Sequence, residues 1–180
     1  RTVSGARILI FESNPPDLIA EQGYRAADQF KVAFGGLEPS VACQVAEPNA
    51  TNFSTCSLDN LDGLVFTESS VNWTVDSIEA VSLRTVMEQA FQTDLSVWGS
   101  CNVMQLAAVV LGGSVRSSPN RLELGVANGL RKTEAGKCHP ALHGHADIFA
   151  VPCIHRNEVD WLPKGVVYLV ENDHSSIRSF

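Results

Sequence analysis

The stretch from Leu95 to Gly113 (LSVWGSCNVMQLAAVVLGG) leaves a chain little freedom. A short apolar run, Leu95 to Trp98, breaks at Gly99-Ser100-Cys101, and a longer, strongly apolar run from Asn102 to Leu111 is stopped by two glycines. The first run has the length of a strand; the second is helix-length and apolar nearly all round, so it must be buried. Paired glycines end helices because glycine alone adopts the left-handed cap conformation freely. A buried strand feeding a buried helix through a tight turn is half of a βαβ unit.

The same alternation runs through the preceding residues. Ala6 to Ser13 (ARILIFES) reads as a buried first strand, and Asn14, Pro15 and Pro16 make the turn after it. Asp17 to Phe34 carries apolar residues at spacings near three and four, predicting a helix ended by Gly35-Gly36. Val41 to Ala46 predicts a second strand and Asn49 to Asn60 a loop. Leu61 to Thr67 (LDGLVFT) predicts a third strand that delivers Glu68, Ser69 and Ser70 to a loop. Asp76 to Phe91 has helical spacing, with Asp76 placed as N-cap. Ser114 to His145, rich in Gly, Pro and Asn, predicts hairpins and loops, while Ile148 to Ile154, Val166 to Val170 and Ile177 to Phe180 predict further strands. The expected fold is α/β: a mostly parallel central sheet with helices on both faces and a more irregular, antiparallel second half.

Composition bounds the function. A chain of 180 residues suits one domain. No apolar run approaches the roughly 20 residues of a membrane span, so no membrane partner is expected. A net charge of -7 without any Lys/Arg cluster argues against nucleic acid. Arg1 to Gly5 lacks the pattern of a signal peptide, which points to the cytosol. The N-x-Ser/Thr triplets at Asn49, Asn52 and Asn72 then carry no meaning. The five cysteines form no CxxC pair and leave one over, so no disulfide framework is expected, and most should be small buried hydrophobes. His139, His143 and His145 match no zinc spacing; neither a metal nor another cofactor is expected.

Cys101 is the cysteine with special surroundings. A residue between strand and helix sits on a sharp turn that exposes its side chain at the carboxyl edge of the sheet, and its small neighbours tolerate the strain. The helix starting after it aims N–H groups and a positive dipole end at the sulfur, which favours the thiolate and offers donors to an oxyanion. By position alone, a small residue buried in a tight turn fits as well as a nucleophile.

Gly99-Ser100-Cys101-Asn102-Val103-Met104-Gln105-Leu106, with Gly112-Gly113 beyond it, resembles the nucleophile elbow of the class I glutamine amidotransferases, usually Gly-x-Cys-x-Gly-x-Gln-Leu. Leu61 to Thr67 is similar to that family's Asp-Gly strand. Ile154-His155-Arg156-Asn157-Glu158-Val159 with Leu162-Pro163 and Gly165 is similar to its His-x-Asp-x-Val-x-x-Leu-Pro-x-Gly segment, with Asn157 where Asp is usual. The likeness is greatest to stand-alone bacterial members resembling the glutaminase part of GMP synthase. It implies a flavodoxin-like fold and attack by Cys101 on the side-chain amide of glutamine. Asn102 would supply one oxyanion N–H, and Glu68 or Ser69 the other. Gln105 would place substrate or brace the elbow. Ammonia would pass to an acceptor or a synthetase partner. The family's His-Pro-Glu segment would follow a strand like Ile177 to Phe180, where this sequence ends, so 1–180 reads as a single domain truncated before its catalytic His and Glu. His155 falls at a structural or substrate-shaping position, and His174 is expected on the surface.

Val103 and Glu68 stand where the family prefers glycine, one crowding the elbow and the other placing a carboxylate beside a developing negative charge. Besides the enzyme, the sequence therefore allows a non-catalytic relative that binds a small molecule or protein, and, with less support from the Gln-Leu and Gly-Gly context, cysteine chemistry of the peptidase or chaperone kind.

Overall fold

The computed structural model describes residues 5–54, 56–71 and 74–180. Asn72 lies outside them. Two compact units divide the chain, residues 1–103 and 104–180.

In the first unit, β1 (Arg7–Phe11), β2 (Ala42–Ala46), β3 (Gly63–Phe66) and β4 (Ser96–Gly99) form a parallel sheet in the order β2-β1-β3-β4. The register aligns Phe11 with Ala46 and with Phe66, and Phe66 with Gly99, so these strands end side by side. Because strand side chains alternate in direction, Ile10 and Val65 face one way, packed with Ala27, Phe30 and Phe34. Phe11 and Phe66 face the other, with ring centroids 4.6 Å apart. All of Leu9, Ile10, Phe11, Leu64, Val65 and Phe66 are buried, as parallel strands covered on both faces must be.

The helices are α1 (Pro16–Gln22), α2 (Ala26–Leu37), α3 (Val81–Ala90) and α4 (Asn102–Val110). The single helix expected over Asp17 to Phe34 is two. Gly23, at φ 74, caps α1 with its N–H on the Ile19 carbonyl, and the chain turns before α2. Gly35 and Gly36 do not end α2; both lie inside it, on its exposed side. Asp76 is not the N-cap of the next helix either. A single turn of 3-10 helix, Ile78–Ala80, leads into α3, and Asp76 instead faces Arg84 at 3.7 Å.

The second unit is antiparallel. β5 (Ser114–Ser117) pairs with β8 (Asn157–Trp161), and β6 (Glu123–Lys132) lies between β7 (Ile148–His155) and β9 (Val170–Glu171). Along β7 alternate residues turn inward, bringing Phe149, Val151 and Cys153 against Ala127, Leu130, Leu169 and Val170. The region expected to hold only hairpins and loops also contains a short helix, α5 (Glu134–Cys138), whose N-cap Thr133 accepts the Gly136 N–H. The strand expected at Val166 to Val170 shrinks to the start of β9, and that at Ile177 to Phe180 to one bridge between Ser179 and Val170. β8 escaped the sequence reading because its residues Asn-Glu-Val-Asp-Trp are too polar to stand out. The whole is an α/β fold of the flavodoxin-like type with a second, antiparallel part. Among the described residues no helix is long and apolar enough to cross a membrane.

Two glycines should respond oppositely to a methyl group. A Cβ on Gly136 would lie 2.0 Å from the Leu169 carbonyl oxygen, a backbone atom that cannot step aside, so Gly136→Ala is expected to destabilise by about 1–3 kcal/mol. A Cβ on Gly35 meets nothing within 4 Å, and Gly35→Ala should stabilise by about 0.5–1 kcal/mol through helix propensity. Urea unfolding of both variants checks the pair.

Candidate functional site

The turn between β4 and α4 has the geometry of an elbow. Cys101 has φ 57 and shares the left-handed region with Asn60 and Arg121 among the described non-glycine residues. That conformation costs a side-chain-bearing residue roughly 1–2 kcal/mol. The residue is exposed, and α4 begins at the next residue. The Ser100 N–H reaches the Phe66 carbonyl at 3.4 Å, which carries the pairing of β3 and β4 up to the turn, and the Val103 N–H reaches the Ser100 carbonyl at 3.2 Å. β4 is one of the two outer strands of this sheet, the other being β2. Val103 is fully buried, so its branched side chain is accommodated while the turn keeps its left-handed residue.

Beside the elbow, residues 67–71 leave the end of β3. Parallel neighbours lie about 4.8 Å apart, and with Phe66 opposite Gly99 the loop and the elbow emerge from one edge of the sheet. Thr67 is buried; its Oγ1 accepts the Ser13 N–H at 2.9 Å and its carbonyl accepts Ser13 Oγ at 2.6 Å. Ser69 Oγ and the Ser70 N–H both donate to Asn14 Oδ1, at 3.2 and 2.9 Å. Glu68 and Ser69 are half-buried in this loop, and Asn102 is the first residue of α4. Cys101, Asn102, Glu68 and Ser69 thus belong to one sheet edge. The Asn49 side chain, one of the three apparent glycosylation acceptors, is spent on the Ser13 carbonyl at 2.9 Å.

Gln105 lies in the second unit, although it follows Cys101 by one helical turn. It is buried, and its Nε2 donates to the Asn157 carbonyl at 2.9 Å. The same carbonyl takes His155 Nδ1 at 3.0 Å. The His155 position is therefore architectural in part: it ties the end of β7 to the start of β8. His155 Nε2 lies 2.7 Å from Glu123 Oε2, its cross-strand neighbour, and Arg178 reaches both side chains. His174 is not free on the surface as expected; it is half-buried, edge-on to His155, with Nε2 at 3.3 Å from Ser118 Oγ. Burial pushes the Glu123 carboxyl upward, but the hydrogen bond from His155 and the charge of Arg178 outweigh it, and the group sits below the usual carboxylate range.

Donor atoms of Glu123, Cys153 and His155 come within 4.8 Å of one another, the spacing of a possible metal site. Arg178, 2.6 Å from Glu123, already supplies the positive charge that a cation would bring, and it contacts two of the three donors. The arrangement is not a nucleophile–base pair for Cys153 either, because both ring nitrogens of His155 have other partners.

The sequence reading missed Glu12, Ser13 and Asn14, which are 0%, 1% and 2% exposed. Their signal was available: three polar residues directly continuing a buried strand, where only satisfied hydrogen bonds make burial tolerable.

No family model matches the sequence. A curated relative, the gamma-glutamyl-L-1-hydroxyisopropylamide hydrolase of a Pseudomonas species, is 29% identical over 156 residues, 83% of this chain and 52% of that protein. The chain thus spans about half the length of that relative. Among solved structures, a glutamine amidotransferase from Thermotoga maritima superposes with a TM-score of 0.72 at 15% identity, covering 96% of this chain and 69% of its own. A GMP synthase-type protein from Thermoplasma acidophilum gives 0.71 at 17% identity, covering 96% and 76%. These structures share the glutamine amidotransferase fold with the chain.

The cysteines should differ sharply in reactivity. Burial raises the thiol pKa of Cys43 and Cys56, whereas Cys101 is exposed at the amino end of a nine-residue helix. Cys138 is exposed too, but at the carboxyl end of α5, away from any helix N-terminal N–H groups of that element. Peptide mapping after brief iodoacetamide treatment should find Cys101 labelled first and Cys138 well behind it; comparable labelling of the two would remove the case for an activated Cys101.

Proposed function

We propose that the chain hydrolyses γ-glutamyl amides, glutamine or an N-substituted relative of it, through a thioester on Cys101. The observation that carries this reading is the exposed cysteine held at φ 57 immediately before a helix, at the sheet edge that also presents the 67–71 loop. The likeness to a γ-glutamyl amide hydrolase and the amidotransferase fold support it from two sides.

The chemistry follows from the placement. The Cys101 thiolate attacks the amide carbon, forming an S–C bond while the carbonyl π pair moves to oxygen. That oxyanion is met by N–H groups of the Asn102 backbone and of the loop at Glu68 or Ser69, donors aimed where charge develops. Collapse restores the C=O bond and breaks the C–N bond, and the departing nitrogen takes a proton from solvent water to leave as amine or ammonia. Water then attacks the thioester through a second oxyanion, releasing glutamate and the thiol. Gln105 contributes by bracing β8, where it holds the Asn157 carbonyl.

The first unit contains no histidine; all five lie between residues 139 and 174. Within that unit no imidazole protonates the departing amine, and general acid help is worth roughly 10²- to 10⁴-fold. An activated γ-glutamyl ester, whose leaving group departs as an anion and needs no such proton, should acylate Cys101 more readily than an amide does. The natural acceptor of the amine is an external molecule or a synthetase partner. A thiol nucleophile needs a reducing compartment.

Glutamate release should be measured from glutamine, from an N-(2-hydroxyalkyl) γ-glutamyl amide and from the γ-(4-nitrophenyl) ester, beside a Cys101→Ala control. The ester should react at least 10²-fold faster than either amide, and the Cys101→Ala protein should release nothing above background. Glu68→Gln, which removes a carboxylate beside the developing charge but keeps the backbone, should raise the ester rate several-fold at low salt. Equal rates for the Cys101→Ala control and the unaltered chain would remove the proposal.

A further inference from the structure

Chemistry at Cys101 gives no task to the buried polar residues at the end of β1, yet their hydrogen bonds run in a definite direction. The Glu12 carboxylate accepts the Ala27 N–H at 2.8 Å, in the first turn of α2, where the positive end of the helix favours an anion. Its other oxygen accepts the Asn14 N–H at 3.0 Å, while the Glu12 N–H is held by Ala46 of β2 at 2.8 Å. The backbone at Asn14 is thereby tied to β2 and α2. From this fixed base the Asn14 side chain reaches across to the loop after β3, and its Oδ1 takes both the Ser70 N–H at 2.9 Å and Ser69 Oγ at 3.2 Å. Ser69 Oγ in turn accepts the Val71 N–H at 3.2 Å, closing the loop on itself. Ser13 fastens the loop's root through its two bonds to Thr67.

We propose that Asn14 is a positioning residue for acyl transfer: by clamping residues 69–71 it holds the neighbouring backbone N–H groups, at Glu68 and Ser69, where the oxyanion formed at Cys101 needs them. This rests on Cys101 being the nucleophile. The residue type fits the task. A carboxamide oxygen accepts both hydrogen bonds without burying a charge. Asn14 sits in the first unit together with the loop and the elbow, so the clamp and the group it serves share one sheet edge. Oxyanion donors act through preorganisation, and a displacement of about 1 Å suffices to lose roughly 10²-fold in rate.

Two reactions of the same sulfur separate positioning from mere stability. Acylation by the γ-(4-nitrophenyl) ester of glutamate passes through an oxyanion; alkylation by iodoacetamide displaces iodide at a saturated carbon and forms none. The two second-order rate constants are measured for the unaltered protein, for Asn14→Ala and for Ser69→Ala, with folding checked by circular dichroism. Asn14→Ala should acylate roughly 10- to 100-fold more slowly and Ser69→Ala several-fold more slowly, with alkylation within about twofold of the unaltered protein in both. Should Asn14→Ala fail to fold, Ser69→Ala removes one of the same two bonds from the loop side and decides alone. Acylation unchanged in the folded variants overturns the clamp, as does a parallel fall of acylation and alkylation, which would place the effect on the thiol itself. An unaltered protein that iodoacetamide labels at Cys101 but the ester does not acylate refutes the nucleophilic role as well; an unaltered protein that acylates with both variants matching it refutes the role of Asn14 alone.

Discussion

A parallel sheet ends all its strands at one edge, and that constraint governs the rest of this structure. With Phe11, Ala46, Phe66 and Gly99 in register, four chain segments leave the core together and none can cross a neighbour's path. Each must find partners for its backbone groups within a few residues, so polar side chains gather there: Glu12, Ser13, Asn14 and Thr67 are buried and hydrogen-bonded. A buried donor or acceptor left unmatched costs about 1–3 kcal/mol, so the network is tolerable only because its bonds are made.

The elbow uses the same edge differently. Cys101 accepts a left-handed conformation that raises its energy by roughly 1–2 kcal/mol, an expense that the apolar packing of α4 readily offsets. Val103, Leu106 and Ala108 are fully buried and fix where the helix begins. The helix starts at the residue after Cys101, with Val103 buried in its first turn.

Much of this was legible in the sequence. Apolar runs of strand length alternating with helical ones gave the parallel sheet, and Gly99-Ser100-Cys101 before an apolar helix gave the turn, because both follow from burial and backbone sterics. Gly23 was harder to read. A glycine inside a helical spacing is tolerated in many helices, and only the αL cap seen here shows that it splits α1 from α2. The reverse holds for Gly35 and Gly36, which looked like a stop and lie within α2. His155 stood out in the sequence, but its partner Glu123 lies 32 residues away and becomes its neighbour only through the register of β6 with β7. Asn14 was read as part of a turn, since nothing local reveals that its side chain reaches Ser69 and Ser70, more than 50 residues on.

The central claim is that Cys101 carries the acyl group. Mixing the protein with a γ-glutamyl ester, quenching in acid after one turnover and mapping the peptides by mass spectrometry tests it directly. A glutamyl group on the Cys101 peptide, released by hydroxylamine as a thioester would be, is the predicted result. A glutamyl group on any other residue, or glutamate released with Cys101 left unmodified at every quench time, would contradict it.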